Sequence, residues 1–430
     1  MFKKLTALLL AALMCLGAVA MTACSGDGSE AETSELPISE VALDTNFEIP
    51  ESFKIGFICL HDENSTYDKN FIDAAKRMQT ALGLKDSQVI IKTNVEEGPA
   101  CTDAARDLAG QGCAIVFANS FGHEGYLIPV AKEFPNVEFC HATGTKAHTE
   151  ALDTDEKEGL KNFHNAFADI YQGRFLAGVA AGMKLNEMIK DGKITAEQAV
   201  IGYVGAFPYA EVVSGYTSFF LGARSVCPSV TMKVRYTKSW YNEAEEKSAA
   251  EALINKDKCV LISQHADSMG APNACEVAGV PNVSYNGSTV AACPETFIVS
   301  SAINWTPYYV YIVKQVVTGK EIAVDWCGGI AEGSVVLSAI NLDVAAEGTF
   351  EKIQELVTKI QAGELDVFDI DTFTVNGKKV ESYLADVDDF GEADSYAHET
   401  EVIKDGAFAE SSKRSAPYFD IRIDGITELS

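Results

Sequence analysis

The chain has 430 residues, with 62 acidic side chains against 34 basic ones and a formal net charge of −28. That balance excludes binding to nucleic acid, which needs clustered Lys and Arg to neutralise phosphates, and disfavours adhesion to an anionic membrane by charge. The length exceeds what one simple core holds and suits two domains.

The chain opens with Lys3 and Lys4, runs apolar from Leu5 to Ala20, and narrows to small residues at Thr22 and Ala23 before Cys24. The apolar run has the length of a secretory signal and falls short of the roughly 20 residues that span a bilayer. The stretch "MTAC" resembles the lipobox of bacterial lipoproteins. Residues 1–23 are therefore expected to be a lipoprotein signal peptide, with Cys24 as the lipidated mature N-terminus and the lipid as the anchor to the cell membrane. Residues 24–51, acidic and without Lys or Arg, are expected to be a disordered tether.

From residue 53 short apolar runs alternate with helical patterns. "FKIGFICL", "QVIIKTNV", "CAIVFANS" and "VEFCHATG" predict strands, separated by the helices "KNFIDAAKRMQTALG", "PACTDAARDLAGQG" and "GYLIPVAKEFP". A long helix is predicted over "AFADIYQGRFLAGVAAGMKLNEMIKDG". The alternation then restarts: strands "QAVIGYVGAF", "TMKVRYT", "KCVLISQH" and "PNVSYN", with helices "VSGYTSFFLGARSV" and "EAEEKSAAEALINKD". "TFIVSS" and "PYYVYIVKQVVTGK" add a strand and a helix, and "SAPYFDIRIDGITEL" predicts a strand-like end.

The fold class is α/β, with two doubly wound parallel-sheet lobes and a cleft between them. The first lobe is expected over 52–165 with a return segment at about 296–322, and the second over 166–295 with about 323–365. An acidic C-terminal segment with an ordered end covers 366–430. Of eleven cysteines, Cys15 leaves with the signal and Cys24 goes to lipid. The rest show no C-x-x-C pair, and several, such as Cys59, Cys140 and Cys259, lie in apolar runs that suit reduced, buried thiols.

In doubly wound sheets ligands sit beyond the carboxyl ends of the strands. The first strand is followed by "HDENSTYDKNF", where Asn64 or Ser65 suits a helix N-cap and Tyr67 with Asp68 could meet a flat ligand. "NSFGHEG" supplies Asn119, Ser120, Phe121 and Gly122. In the second lobe Phe207 and Glu211, Trp240, Gln264 and Asp267, and Asn286 and Ser288 follow successive strands. Rings alternating with amide and carboxylate groups suit a planar heterocycle, held by stacking and oriented at its edges.

The segments "STYDKNF", "FANSFG", "AKEFPNVEFCHATG", "YQGRFLAGVAAG", "IGYVGAFPYAEVVSGYTSFFLGARSV", "KSWYNEAEEKSAAEALI" and "QHADS", in this order over about residues 53–320, resemble the basic membrane protein (Bmp) family of ABC-importer substrate-binding lipoproteins, in its Med-like branch. The resemblance implies a two-lobed type I periplasmic-binding fold, an extracytoplasmic protein working with an ABC permease, and a purine nucleoside or related base as ligand. It implies that Tyr67 and Asp68 contact the base, and that Asn286 and Asn304 stand where nucleoside binders carry an acid and a lysine for the ribose. With both charges absent, a purine-like ligand is expected, the free base at least as tightly held as the nucleoside. The chain is expected to be a monomer without a cofactor.

Three other readings compete. An enzyme lacks support, since G-x-S-x-G, P-loop, H-E-x-x-H and G-x-G-x-x-G signatures are absent, and Asp62, Glu63 and Asp68 suit capping at a helix start. A metal could be held by His61, His123 and His265, which all follow strands. A sugar or peptide-like signal could occupy the same cleft.

Overall fold

The computed structural model describes residues 31–34, 37–147, 160–387 and 400–429. The signal peptide and Cys24 lie outside the described residues. Strands β1 (Ile55–Ile58), β2 (Val89–Lys92), β3 (Ile115–Ala118), β4 (Glu138–Ala142), β5 (Phe163–Ala168) and β11 (Asp325–Gly328) form one sheet, every pair parallel, in the order β11-β5-β4-β3-β1-β2. All residues of β1, β3 and β5 are buried, as expected of parallel strands covered on both faces. The helices α1 (Thr66–Ala81), α2 (Pro99–Gly110), α3 (Glu124–Glu133) and α8 (Thr306–Val317) belong to this lobe. Ser65 caps α1, its Oγ accepting the Asp68 N–H at 3.1 Å. On α8 the Tyr309 ring packs against Phe57 at 4.8 Å and Phe117 at 5.0 Å.

The second sheet runs β12-β10-β9-β8-β6-β7-β17, from β6 (Val200–Gly205), β7 (Thr231–Tyr236), β8 (Leu261–His265), β9 (Asn282–Tyr285), β10 (Phe297–Ile303), β12 (Val335–Leu337) and β17 (Ile426–Glu428). Only the edge pair β10–β12 is antiparallel. Helices α4 (Ile170–Lys190), α5 (Ala210–Val226), α6 (Glu243–Asn255), α7 (Gly270–Ala278) and α9 (Thr349–Gln361) complete this lobe. The backbones of α4 and α5 touch. A Cβ on Gly178 would strike the Phe219 carbonyl oxygen, and one on Gly222 the Phe175 carbonyl oxygen, so both positions require glycine.

The chain crosses between the lobes after β5, after β10 and after β11. Sheet membership therefore departs from the expected lobe boundaries. The strand β10, inside the segment expected to return to the first lobe, pairs with β9 in the second sheet, while β11, expected with the second lobe, pairs with β5 in the first. Short strands separated by short crossovers carry no local sign of which sheet they join. The strand β5 is also a correction, since its start lay outside the predicted elements and Ala166–Ala168 were read into the long helix. A six-residue strand buried throughout has no alternation to distinguish it from a buried helical turn.

The described part of 31–51 is not a free tether. Ser34 and Ile38 donate their amides to the Ile340 and Leu337 carbonyls at 3.0 Å, and Ile38 is buried. Further on, Lys314 of α8 pairs with Asp44, and Lys85 with Glu51 at 3.0 Å. The segment thus starts on the second lobe and ends on the first, lying across the crossovers as a strap.

In the C-terminal region, β13 (Leu384–Ala385) pairs with β14 (Thr400–Glu401) and β15 (Ile403–Lys404) with β16 (Ala407–Phe408). Of the predicted strand-like end, only Ile426–Glu428 joins a ladder. Tyr418, Phe419, Ile421 and Ile423 are buried as irregular chain, packing by side chain. The nine described cysteines are free thiols, eight of them buried.

Candidate functional site

In both sheets the strand order reverses beside the first strand, between β1 and β3 and between β6 and β8, which is where doubly wound folds open a crevice. The residues after these strands meet in one cavity. It holds about 430 Å³ of empty space continuous with solvent and is lined by Leu60, His61, Tyr67, Asp68, Ser120, Phe121 and Thr143 from the first lobe and Glu211, Trp240, His265, Asp267 and Tyr285 from the second.

Seven of the residues singled out by sequence as strand-end contacts, Tyr67, Asp68, Ser120, Phe121, Glu211, Trp240 and Asp267, line this cavity together. Tyr67 is fixed by its hydroxyl, which donates to the Asn119 carbonyl at 2.7 Å, and by its ring, 4.8 Å from Phe71. One oxygen of Asp68 is occupied by the Asn119 amide at 2.7 Å and the His61 N–H at 3.1 Å. Ser120 donates to Glu97 at 2.6 Å. Phe207 stands one layer back. It stacks on Tyr209 at 5.0 Å and meets Trp240 edge-on at 5.2 Å, and so supports the ring that lines the cavity.

Asn286 and Asn304 do not line this cavity. They line a second, larger space against α1 and the β10–α8 crossover. There Asn286 accepts from the Asn70 amide at 3.1 Å, and Asn304 accepts from Arg77 at 3.2 Å. Both main-chain and side-chain donors of Thr66 reach the Asp267 carbonyl, at 3.0 and 3.1 Å, in a direct bond between the lobes. Thr66 thus stands where the two spaces adjoin.

The three histidines do not converge as metal ligands. His123 turns to the Val95 carbonyl at 2.9 Å, His265 lies 3.5 Å from Glu211, and His61 packs on Tyr241, ring centroids 5.3 Å apart. Among the described residues no three His, Cys, Asp or Glu side chains group as a metal site. Burial pushes the His123 pKa down to about 4, and burial also lowers that of His265 against the pull of Glu211.

Leu60, Thr143 and Tyr285 are the lining residues that escaped the sequence reading. Tyr285 is the last residue within β9, hidden in a buried run rather than in the loop after it. Thr143 follows β4 at φ 66°, a left-handed conformation uncommon for a β-branched residue and of the kind that gathers at functional sites. Behind the second-lobe wall lies Arg174 of α4, with no solvent exposure. It donates to the Tyr203 hydroxyl at 2.8 Å and Ser263 at 3.0 Å, and its guanidinium lies 5.0 Å from the Tyr285 ring centroid. Its hydrogen bonds and its place over the ring hold Tyr285, Tyr203 and the β8 end in one arrangement.

Residues 60–371 match the family described as ABC transporter substrate-binding protein, PnrA-like. A purine-binding protein of Brucella abortus is 31% identical over 321 residues, which cover 74% of this chain and 83% of that one. A Haloferax volcanii protein, provisionally named a glucose-binding protein of an ABC transporter, is 31% identical over 281 residues, 65% of this chain and 66% of that one. Among solved structures, an ABC-transporter solute-binding protein of Conexibacter woesei superposes with a TM-score of 0.56 at 20% identity, covering 73% of this chain and 98% of the other.

Proposed function

The chain belongs to the family of PnrA-like ABC transporter substrate-binding proteins, and from that premise we propose that it captures a purine base or nucleoside between its lobes and delivers it to a membrane permease. Family membership makes it an extracytoplasmic binding protein and not an enzyme. The observation that carries the ligand reading is the cavity itself, where Tyr67, Phe121, Trp240 and Tyr285 supply rings and Asp68, Glu211 and Asp267 supply edge acceptors. The Brucella relative named for purine binding supports the same class.

The mechanism is closure without chemistry. Each lobe brings about half of the lining, so a ligand gains its full set of contacts only when the lobes meet. The free base binds at least as tightly as its nucleoside, because Thr66 and Asp267 join the lobes at the border of the second space, where a sugar would have to pass. Cys24 carries the lipid that keeps this monomer at the cell membrane.

Calorimetry on protein stripped of carried-over ligand tests the reading. A purine base is expected to bind, Tyr67→Ala and Trp240→Ala to weaken it, and glucose to give no heat. Glucose binding with no purine binding overturns it. For the anchor, Cys24→Ala is expected to move the protein from membranes to the soluble fraction with its melting temperature unchanged. A variant that stays with membranes refutes the lipid.

A further inference from the structure

Asp267 is the second residue after β8, is only 7% exposed, and lines the cavity. Its main chain is occupied on both sides, the N–H by the Trp240 carbonyl at 3.0 Å and the carbonyl by Thr66. Its carboxyl group meets no donor or cation among the described residues, and the charges near it are Asp68, Glu246 and Glu211. Of these, Glu246 is already committed to the Asn242 and Ser268 N–H groups. Among the described residues no Lys or Arg lines the cavity. A carboxyl group left in this way at the cavity wall is available to a hydrogen-bond donor on a ligand.

We propose that Asp267 sets ligand specificity by accepting from an exocyclic amino group, so that the protein prefers an amino-purine to its oxo counterpart. The proposal rests on the purine reading above and adds to it which substituent is read. An amino group brings two N–H donors into a space edged by the carboxyl groups of Asp68, Glu211 and Asp267. An oxo group in the same place turns lone pairs toward those oxygens, and a mispaired buried group is penalised far more than a missing methylene. Only the ionised carboxyl is purely an acceptor and so discriminates between the two groups. Burial, reinforced by the neighbouring acids, pushes the Asp267 carboxyl well above the usual carboxylate range, so the preference is expected to grow as the pH rises.

The test is calorimetry with adenine, hypoxanthine, cytosine and glucose on the stripped full chain and on Asp267→Asn. Adenine is expected to bind at least tenfold more tightly than hypoxanthine, a difference of about 1.4 kcal/mol. Asp267→Asn is expected to move that ratio toward one, a change that a merely structural role would not produce. A wild-type ratio below tenfold overturns the proposal while leaving the purine reading intact, and needs no variant to fold. An unchanged ratio in a folded Asp267→Asn overturns it as well. Cytosine binding without adenine overturns the proposal together with the purine reading. Binding of glucose alone, or of none of the four, overturns both.

Discussion

Thr66→Pro isolates the bond between the lobes. Thr66 is the first residue of α1, where a missing N–H costs the helix nothing and the fixed φ of proline suits it. The preceding Ser65 is already extended at φ −78° and ψ 126°, as a residue before proline must be. The substitution removes both donors to the Asp267 carbonyl, at 3.0 and 3.1 Å, and disturbs little else. Each bond contributes about 0.5–1.5 kcal/mol net, and because they share one acceptor the pair is worth about 1–2 kcal/mol. That lowers the ratio of closed to open protein by roughly 5- to 30-fold. Ligand affinity is expected to fall by up to the same factor, and small-angle scattering of the ligand-free protein to report a larger radius of gyration. The melting temperature should hold or rise, since proline restricts the unfolded chain by about 0.4–1 kcal/mol. Wild-type affinity together with an unchanged radius would refute the reasoning.

Arg174→Met leaves the Tyr203 and Ser263 hydroxyls without their charged donor and should reduce stability by roughly 2–4 kcal/mol in chemical denaturation; a loss under 1 kcal/mol would show that its cation is not needed. Gly178→Ala forces α4 and α5 apart and should lower stability by about 1–3 kcal/mol or more, read as a fall in melting temperature. His123 is neutral when folded, with its pKa pushed down to about 4, while the unfolded chain binds a proton below about 6.5. Its contribution, up to about 3 kcal/mol, is therefore full above pH 6.5 and is lost as the pH falls toward 4. His123→Asn should flatten the stability–pH slope across that window, and an identical slope would count against it.

Much of the architecture was legible because parallel strands and their covering helices differ in period and length. The runs "FKIGFICL" and "KCVLISQH" announce β1 and β8 without reference to the rest of the chain. The strand β5 was not legible, since "FHNAFA" is buried on both faces and leads straight into α4. The site follows the same division. Ser120 and Asp267 stand in loops after strands and Tyr67 in the first turn of the helix that follows β1, so their order along the chain foretold their meeting. Asn286 also follows a strand but turns away at φ 65°, toward Asn70. Asn304 is drawn to Arg77, a partner 227 residues earlier that no local pattern could indicate. Nor could a pattern reveal Arg174, whose neighbours come from four strands.

The strap over the crossovers makes the molecule its own gauge. A segment bonded to β12 at one end and salt-bridged to α8 at the other cannot stay fixed to both when the lobes rotate. One attachment must yield, and the solvent-exposed Lys314–Asp44 pair is the weaker of the two. Its breaking and re-forming then mark each opening of the lobes, while the buried Ile38 keeps its amide on the Leu337 carbonyl.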